Sequence, residues 1–135
     1  MKNVLVPGLI AGVVLLAISF AMLYGGIRMF PGLADEYYNP VFASESNRNF
    51  LFFIHPFVLG LALAWFWERF KGQFAGGQLI RGIELGFVYT IVATLPAMWI
   101  TFSAINISLT MVLTWLLYGF IQATVAGLVF AKMNP

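Results

Sequence analysis

The chain has 135 residues, of which 61% are hydrophobic and 9% charged, and it contains no cysteine. Soluble domains carry about 25% charged residues, so there are too few charges here to cover a surface facing water. The net charge of +2 comes from basic residues scattered at the ends of apolar runs, which excludes a nucleic-acid partner. The missing cysteines exclude disulfides, thiol redox chemistry and cysteine-held metal centres.

Apolar runs of about 20 residues, rising ~1.5 Å each as helices, match a hydrocarbon layer of ~30 Å. The sequence therefore predicts one all-α integral membrane domain over residues 1–135, a four-transmembrane-helix bundle with spans at about residues 5–30, 49–70, 79–103 and 107–131. Lys2 followed by apolar residues looks like a secretory signal, but the run exceeds the usual ~7–15-residue signal core, so an uncleaved first span is expected.

In span one, Pro7 is expected in the first turn, where its missing N–H has no partner to lose. Gly8, Gly12, Ser19 and Gly26 fall on one narrow stripe at ~100° per residue, a pattern that lets another helix approach closely. Residues 31–48, PGLADEYYNPVFASESNR, form the main extramembrane segment, with Pro31-Gly32 and Asn39-Pro40 as turn signals. Tyr37, Tyr38 and Phe42 suit a layer at the headgroup level. Asp35, Glu36 and Glu45 are hard oxygen donors without calcium-loop spacing, so no metal site is expected.

Span two, with Asn47 or Asn49 as its expected N-cap, carries the single histidine, His55, directly before Pro56. Residues 71–78, KGQFAGGQ, lack the Lys-Ser/Thr pair of a phosphate loop and read as a connector. In span three, Gly82 and Gly86 make a second small-residue pair that Thr90 and Thr94 continue, and Pro96 removes the hydrogen bond to the Val92 carbonyl. Span four follows a tight turn at residues 104–106 and is capped by Asn106 or Ser108. Thr110, Thr114, Tyr118 and Gln122 step by four beside Gly119, Ala123 and Gly127, giving one polar edge and one close-packing edge.

Lys2, Arg69, Lys71, Arg81 and Lys132 fall on one side of the bilayer and Arg28 and Arg48 on the other, which predicts a multi-pass protein of the cell inner membrane with both termini cytoplasmic. Depth along the spans then predicts an outer intramembrane polar site of His55, Thr94, Thr114 and Ser19, and an inner polar pair of Glu84 and Gln122. An ionisable group at such a depth is costly and points to function. A free imidazole exchanges protons around neutral pH, so the functional reading of His55 is a proton relay, while its structural reading is a neutral ring bonded to a threonine or to the Phe52 carbonyl that Pro56 leaves free. Glu84 lies opposite Gly82 on its helix, where snorkelling or an i, i+3 pair with Arg81 is expected. No catalytic triad, paired carboxylates or cofactor fingerprint occurs, so neither an enzyme nor a bound cofactor is expected.

Tyr24-Gly25-Gly26 before Pro31, and Trp115 followed by Gly119 and Gly127, give a layout that resembles small four-helix bacterial integral membrane proteins of unknown function. The resemblance implies no activity. Residue by residue, the expectation is a structural or accessory subunit that associates with itself or a larger complex in the lipid bilayer through Gly8, Gly12, Gly82, Gly86, Gly119 and Gly127. The alternative is a small proton-sensitive transporter or channel centred on His55.

Overall fold

The computed structural model describes residues 1–42 and 46–135, with only the backbone at 46 and 47. Its elements are all helical among the described residues: α1 (Lys2–Met29), α2 (Pro31–Tyr37), α3 (Ser46–Phe70), α4 (Gln78–Tyr89), α5 (Leu95–Ala104) and α6 (Leu109–Met133). A π-turn at Thr90–Thr94 joins α4 to α5, making one rod of 27 residues. That rod, α1, α3 and α6 are four helices long and apolar enough to cross a membrane.

The observed helices keep the expected register with shifted ends. α1 starts at Lys2, so Pro7 stands inside the helix and beyond its first turn, contrary to expectation. The carbonyl that Pro7 deprives of its usual donor is that of Asn3. It accepts a hydrogen bond from Asn134 Nδ2 at 3.3 Å instead. α3 begins at Ser46, which puts Asn49 within the helix, and the side chain of Asn47 lies outside the description. Ser108 is the N-cap of α6, its Oγ accepting from Met111 N at 3.1 Å.

The π-turn comes directly before Pro96, which has no N–H for the Val92 carbonyl and crowds it with its ring. A wider turn relieves that crowding, and the Leu95 N–H reaches back to Thr90 O. The rod continues past the proline with Thr94 turned inward and buried.

Glycine draws the helices together in two pairs. α1 lies along α3, where a Cβ on Gly60 would stand 2.6 Å from the Gly8 carbonyl oxygen and 2.9 Å from Gly12 N. α4 lies along α6, where a Cβ on Gly127 would stand 2.8 Å from Gly82 Cα. Contact of α1 with α6 joins the pairs. Leu15, Trp67, Leu85 and Phe130 fill the space between them with no exposed surface, beside Ala11, Ala123 and Ala126. Side chains such as Val13, Val58, Ile91, Trp99 and Leu117 are left on the outside.

α1, α3, the rod and α6 alternate in direction, so the beginnings of α1 and α4 meet the ends of α3 and α6. At that end Asn134 Nδ2 donates to Glu68 Oε2 at 2.6 Å, Lys71 Nζ donates to Asn134 Oδ1 at 2.6 Å, and Trp67 Nε1 donates to the Asn134 carbonyl at 2.8 Å. The Arg81 guanidinium covers the Trp67 ring at 4.8 Å and donates to the Lys71 carbonyl. At the opposite end the short α2 lies against the start of α6, with Leu33 packed on Ile107, Met111 and Val112. Glu36 holds it there by accepting from Ser108 N at 2.6 Å and Ser108 Oγ at 2.7 Å. A carboxylate is favoured at that point because the first amides of a helix lack partners.

Candidate functional site

A cavity of about 310 Å³ opens between the two packed zones, under α2. Its polar wall comes from four long elements: Ser19 of α1, His55 of α3, Thr94 of the π-turn and Gln122 of α6. Phe52, Tyr89, Trp115 and Tyr118 supply aromatic surface, Met22 and Met98 supply thioethers, and Tyr37 of α2 closes one end.

Packing accounts for the opening. Close glycine contact holds the helices together at the ends that carry Gly8 and Gly82, whereas further along α1 the ring of Phe20 meets Phe52 at 6.4 Å and Phe53 at 5.7 Å. Such bulk keeps helix axes apart. Tyr118 crosses the gap to donate its hydroxyl to Met22 O at 2.9 Å, over the bare surface of Gly26. Trp115 Nε1 donates to Tyr37 OH at 2.9 Å, tying the α6 wall to the α2 roof.

Within the wall, Gln122 Nε2 donates to Ser19 Oγ at 3.0 Å, which leaves the Gln122 carbonyl oxygen and the Ser19 proton for another partner. Thr94 is 9% exposed, and its hydroxyl has no hydrogen-bond partner among the described residues. Gly119 makes room for it, since a Cβ there would lie 2.8 Å from Thr94 Oγ1. Thr90 and Thr124 also hold buried hydroxyls without partners, but neither lines the cavity. His55 lines the cavity, and the bonds expected to a threonine or to the Phe52 carbonyl are not formed.

Three of the four residues expected in one polar layer, Ser19, His55 and Thr94, therefore share this cavity. Thr114 does not join them. Its hydroxyl donates at 2.7 Å to Met111 O of its own helix. The expected pairing of Glu84 with Gln122 is also absent: Gln122 belongs to the cavity, and Glu84 Oε2 accepts from Ala75 N at 3.2 Å in the connector before α4. Arg81 turns to Trp67 and away from Glu84. Tyr37 and Phe42 fold inward on Trp115, Tyr38 stays 87% exposed, and Glu45 lies outside the described residues.

Gly8, Gly12, Gly82, Gly86 and Gly127 all lie against neighbouring helices of this chain, and Gly119 lies against Thr94. Gly60 and Asn134 were not legible as key positions. Gly60 has no companion glycine four residues away, and Asn134 follows the last apolar run with nothing nearby to mark its partners. Trp115 carried one signal, since an indole N–H within an apolar run needs an acceptor. No group of three or more His, Asp or Glu side chains able to hold a metal occurs among the described residues. Compared with known protein families, curated proteins and solved structures, the chain matches none.

Proposed function

We propose that the chain is a multi-pass membrane protein, a four-helix bundle that binds a small molecule inside the bilayer in the cavity of Ser19, His55, Thr94 and Gln122. The observation that carries this reading is the Thr94 hydroxyl, buried without a partner in the cavity wall. A lone buried hydroxyl costs about 1–3 kcal/mol, and rotation of the Thr94 side chain from Gly119 toward an acceptor bound in the cavity removes that cost. The four polar residues come from four different long elements, so a molecule bound among them touches the whole bundle. That arrangement suits a carrier or sensor better than a catalyst, because among the described residues His55 is not hydrogen-bonded to either cavity hydroxyl, Ser19 or Thr94, as an activated nucleophile requires. Five basic residues lie toward the end that holds the termini and two toward the other, which supports cytoplasmic termini in an inner membrane.

The test is native mass spectrometry of the protein released from mild detergent, beside a Ser19→Leu variant whose larger side chain fills the cavity. Wild type is expected to carry a bound small molecule near one equivalent, and the variant is expected to lose it. Equal adducts on both proteins would overturn the reading.

The second reading is a structural or accessory subunit, in association with its own kind or with a larger complex. Its small-residue seams are occupied within the chain, and what favours it now is the uncovered apolar groove between α3 and α4, about 600 Å³, lined by Leu59, Trp65, Leu85 and Val92. A strictly monomeric species with no partner after mild purification would count against it.

A further inference from the structure

Beside the polar cavity lies a second, almost wholly apolar groove of about 560 Å³ between α5 and α6, lined by Leu95, Trp99, Phe102, Leu113 and Leu116. Met98 lines both spaces. The juxtaposition has a local cause. The π-turn rotates Thr94 inward and leaves the following helix, α5, without a buried residue, so α5 leans on α6 over little surface and the groove stays open to the outside.

Resting on the proposed binding cavity, we infer that its ligand is a lipid with an uncharged, carbonyl-bearing ring as head group, of the benzoquinone kind. The ring occupies the polar cavity and the apolar chain lies in the groove between α5 and α6. Three observations set the class. Small-molecule sites span ~300–1,000 Å³, so about 310 Å³ admits a single ring and little chain. No carboxylate, lysine or arginine lines the cavity, and a charged head group there would be desolvated without a counterion. The groups with bonds to give, the Thr94 and Ser19 hydroxyls and the exposed His55 ring, outnumber the one acceptor the wall leaves free, the Gln122 carbonyl oxygen, and so ask for acceptor oxygens such as carbonyls. Aromatic surface from Phe52, Tyr89 and Trp115 suits a flat ring. Met98, unbranched and able to change rotamer readily, stands where ring and chain join.

The experiment uses the full chain in lipid nanodiscs of defined composition, with retention of isotope-labelled probes counted per protein and empty discs subtracted. The probes are a decyl-substituted dimethoxy-methyl-benzoquinone, the same ring without the decyl chain, and decanol. Saturable binding of the decyl quinone near one per chain is expected, with the bare ring at least tenfold weaker and decanol not saturable. Thr94→Val, which keeps the shape and deletes the hydroxyl, weakens the decyl quinone about tenfold, as loss of one hydrogen bond does. Met98→Trp, which blocks the join, brings the decyl quinone down to the level of the bare ring and leaves the bare ring within twofold. Both variants are accepted only if their helix content and elution match wild type; Ser19→Ala replaces Thr94→Val if that fails, with a tenfold loss expected, and Leu113→Trp in the groove replaces Met98→Trp, with the same outcome expected. Absence of saturable quinone binding, equal retention of decanol, or a Met98→Trp protein that still prefers the decyl probe overturns the inference. If quinone fails while the mass-spectrometric adduct is lost in Ser19→Leu, the ligand class is wrong and the cavity reading stands. If Ser19→Leu keeps its adduct, the cavity reading itself falls.

Discussion

At the end that carries both termini the helices approach to backbone contact and Trp67, Glu68, Lys71 and Asn134 pair across them, although the Arg81 Nε is buried there without a partner; at the α2 end the same helices stand apart around a cavity with unpaired donors. Glycine explains the first. Gly8, Gly12 and Gly60 let α1 and α3 close up, Gly82 and Gly127 do the same for α4 and α6, and Asn134 gathers Asn3, Trp67, Glu68 and Lys71 across the ends. Phenylalanine, tyrosine and the π-turn explain the second. The lesson is a division of labour: the tight end sets the helix pairs rigidly enough that the loose end can leave polar groups unsatisfied without collapsing on them.

The strongest way to break this contrast is Gly60→Leu, whose side chain would enter the space of the Gly8 carbonyl. A loss of about 3 kcal/mol in detergent unfolding is expected, at the top of the range for overpacking. Gly25→Ala, at a glycine with nothing within 4 Å, is the matched control and should be neutral or stabilising. Asn134→Ala removes the side chain that answers the Asn3 carbonyl, and should cost about 1–2 kcal/mol by the same measurement. Glu36→Ala releases the first turn of α6 and the roof but no core contact, so about 0.5–1 kcal/mol is expected. Its signature is faster amide hydrogen exchange at Met111 and Val112 with Gly82 and Gly86 unchanged. Thr114→Val sharpens the comparison from the other side: its hydroxyl bonds only its own helix, so stability should move by less than about 0.5 kcal/mol and the cavity adduct should persist.

What the sequence made legible follows from periodicity. Four apolar runs and glycines four apart are local patterns, and the four long helices and the internal faces of Gly8, Gly12, Gly82, Gly86 and Gly127 follow them. Depth alone brought Ser19, His55 and Thr94 to one layer, yet it misplaced Gln122, whose long side chain reaches Ser19 across the gap. Glu36 stood out only as a loop carboxylate without calcium-loop spacing, because its partner Ser108 lies 72 positions away. Thr114 failed for a rotational reason, since a hydroxyl on an apolar helix can return to a carbonyl of its own preceding turn. The π-turn was legible only as the hydrogen bond that Pro96 denies the Val92 carbonyl, because a proline alone does not say how the helix will absorb it.

Pro7 also ties the start of α1 to the residue that follows α6. The helix it interrupts comes earlier in the chain than the donor that satisfies the Asn3 carbonyl, since Asn134 lies 131 positions later. The start of α1 is thus bonded to the end of α6 as well as packed along it, and Asn134 adds a polar fastening to the contact that joins the two pairs. The bond between Asn3 and Asn134 therefore can form only once both ends of the described chain are present, and it clasps the first long helix to the last, which are neighbours.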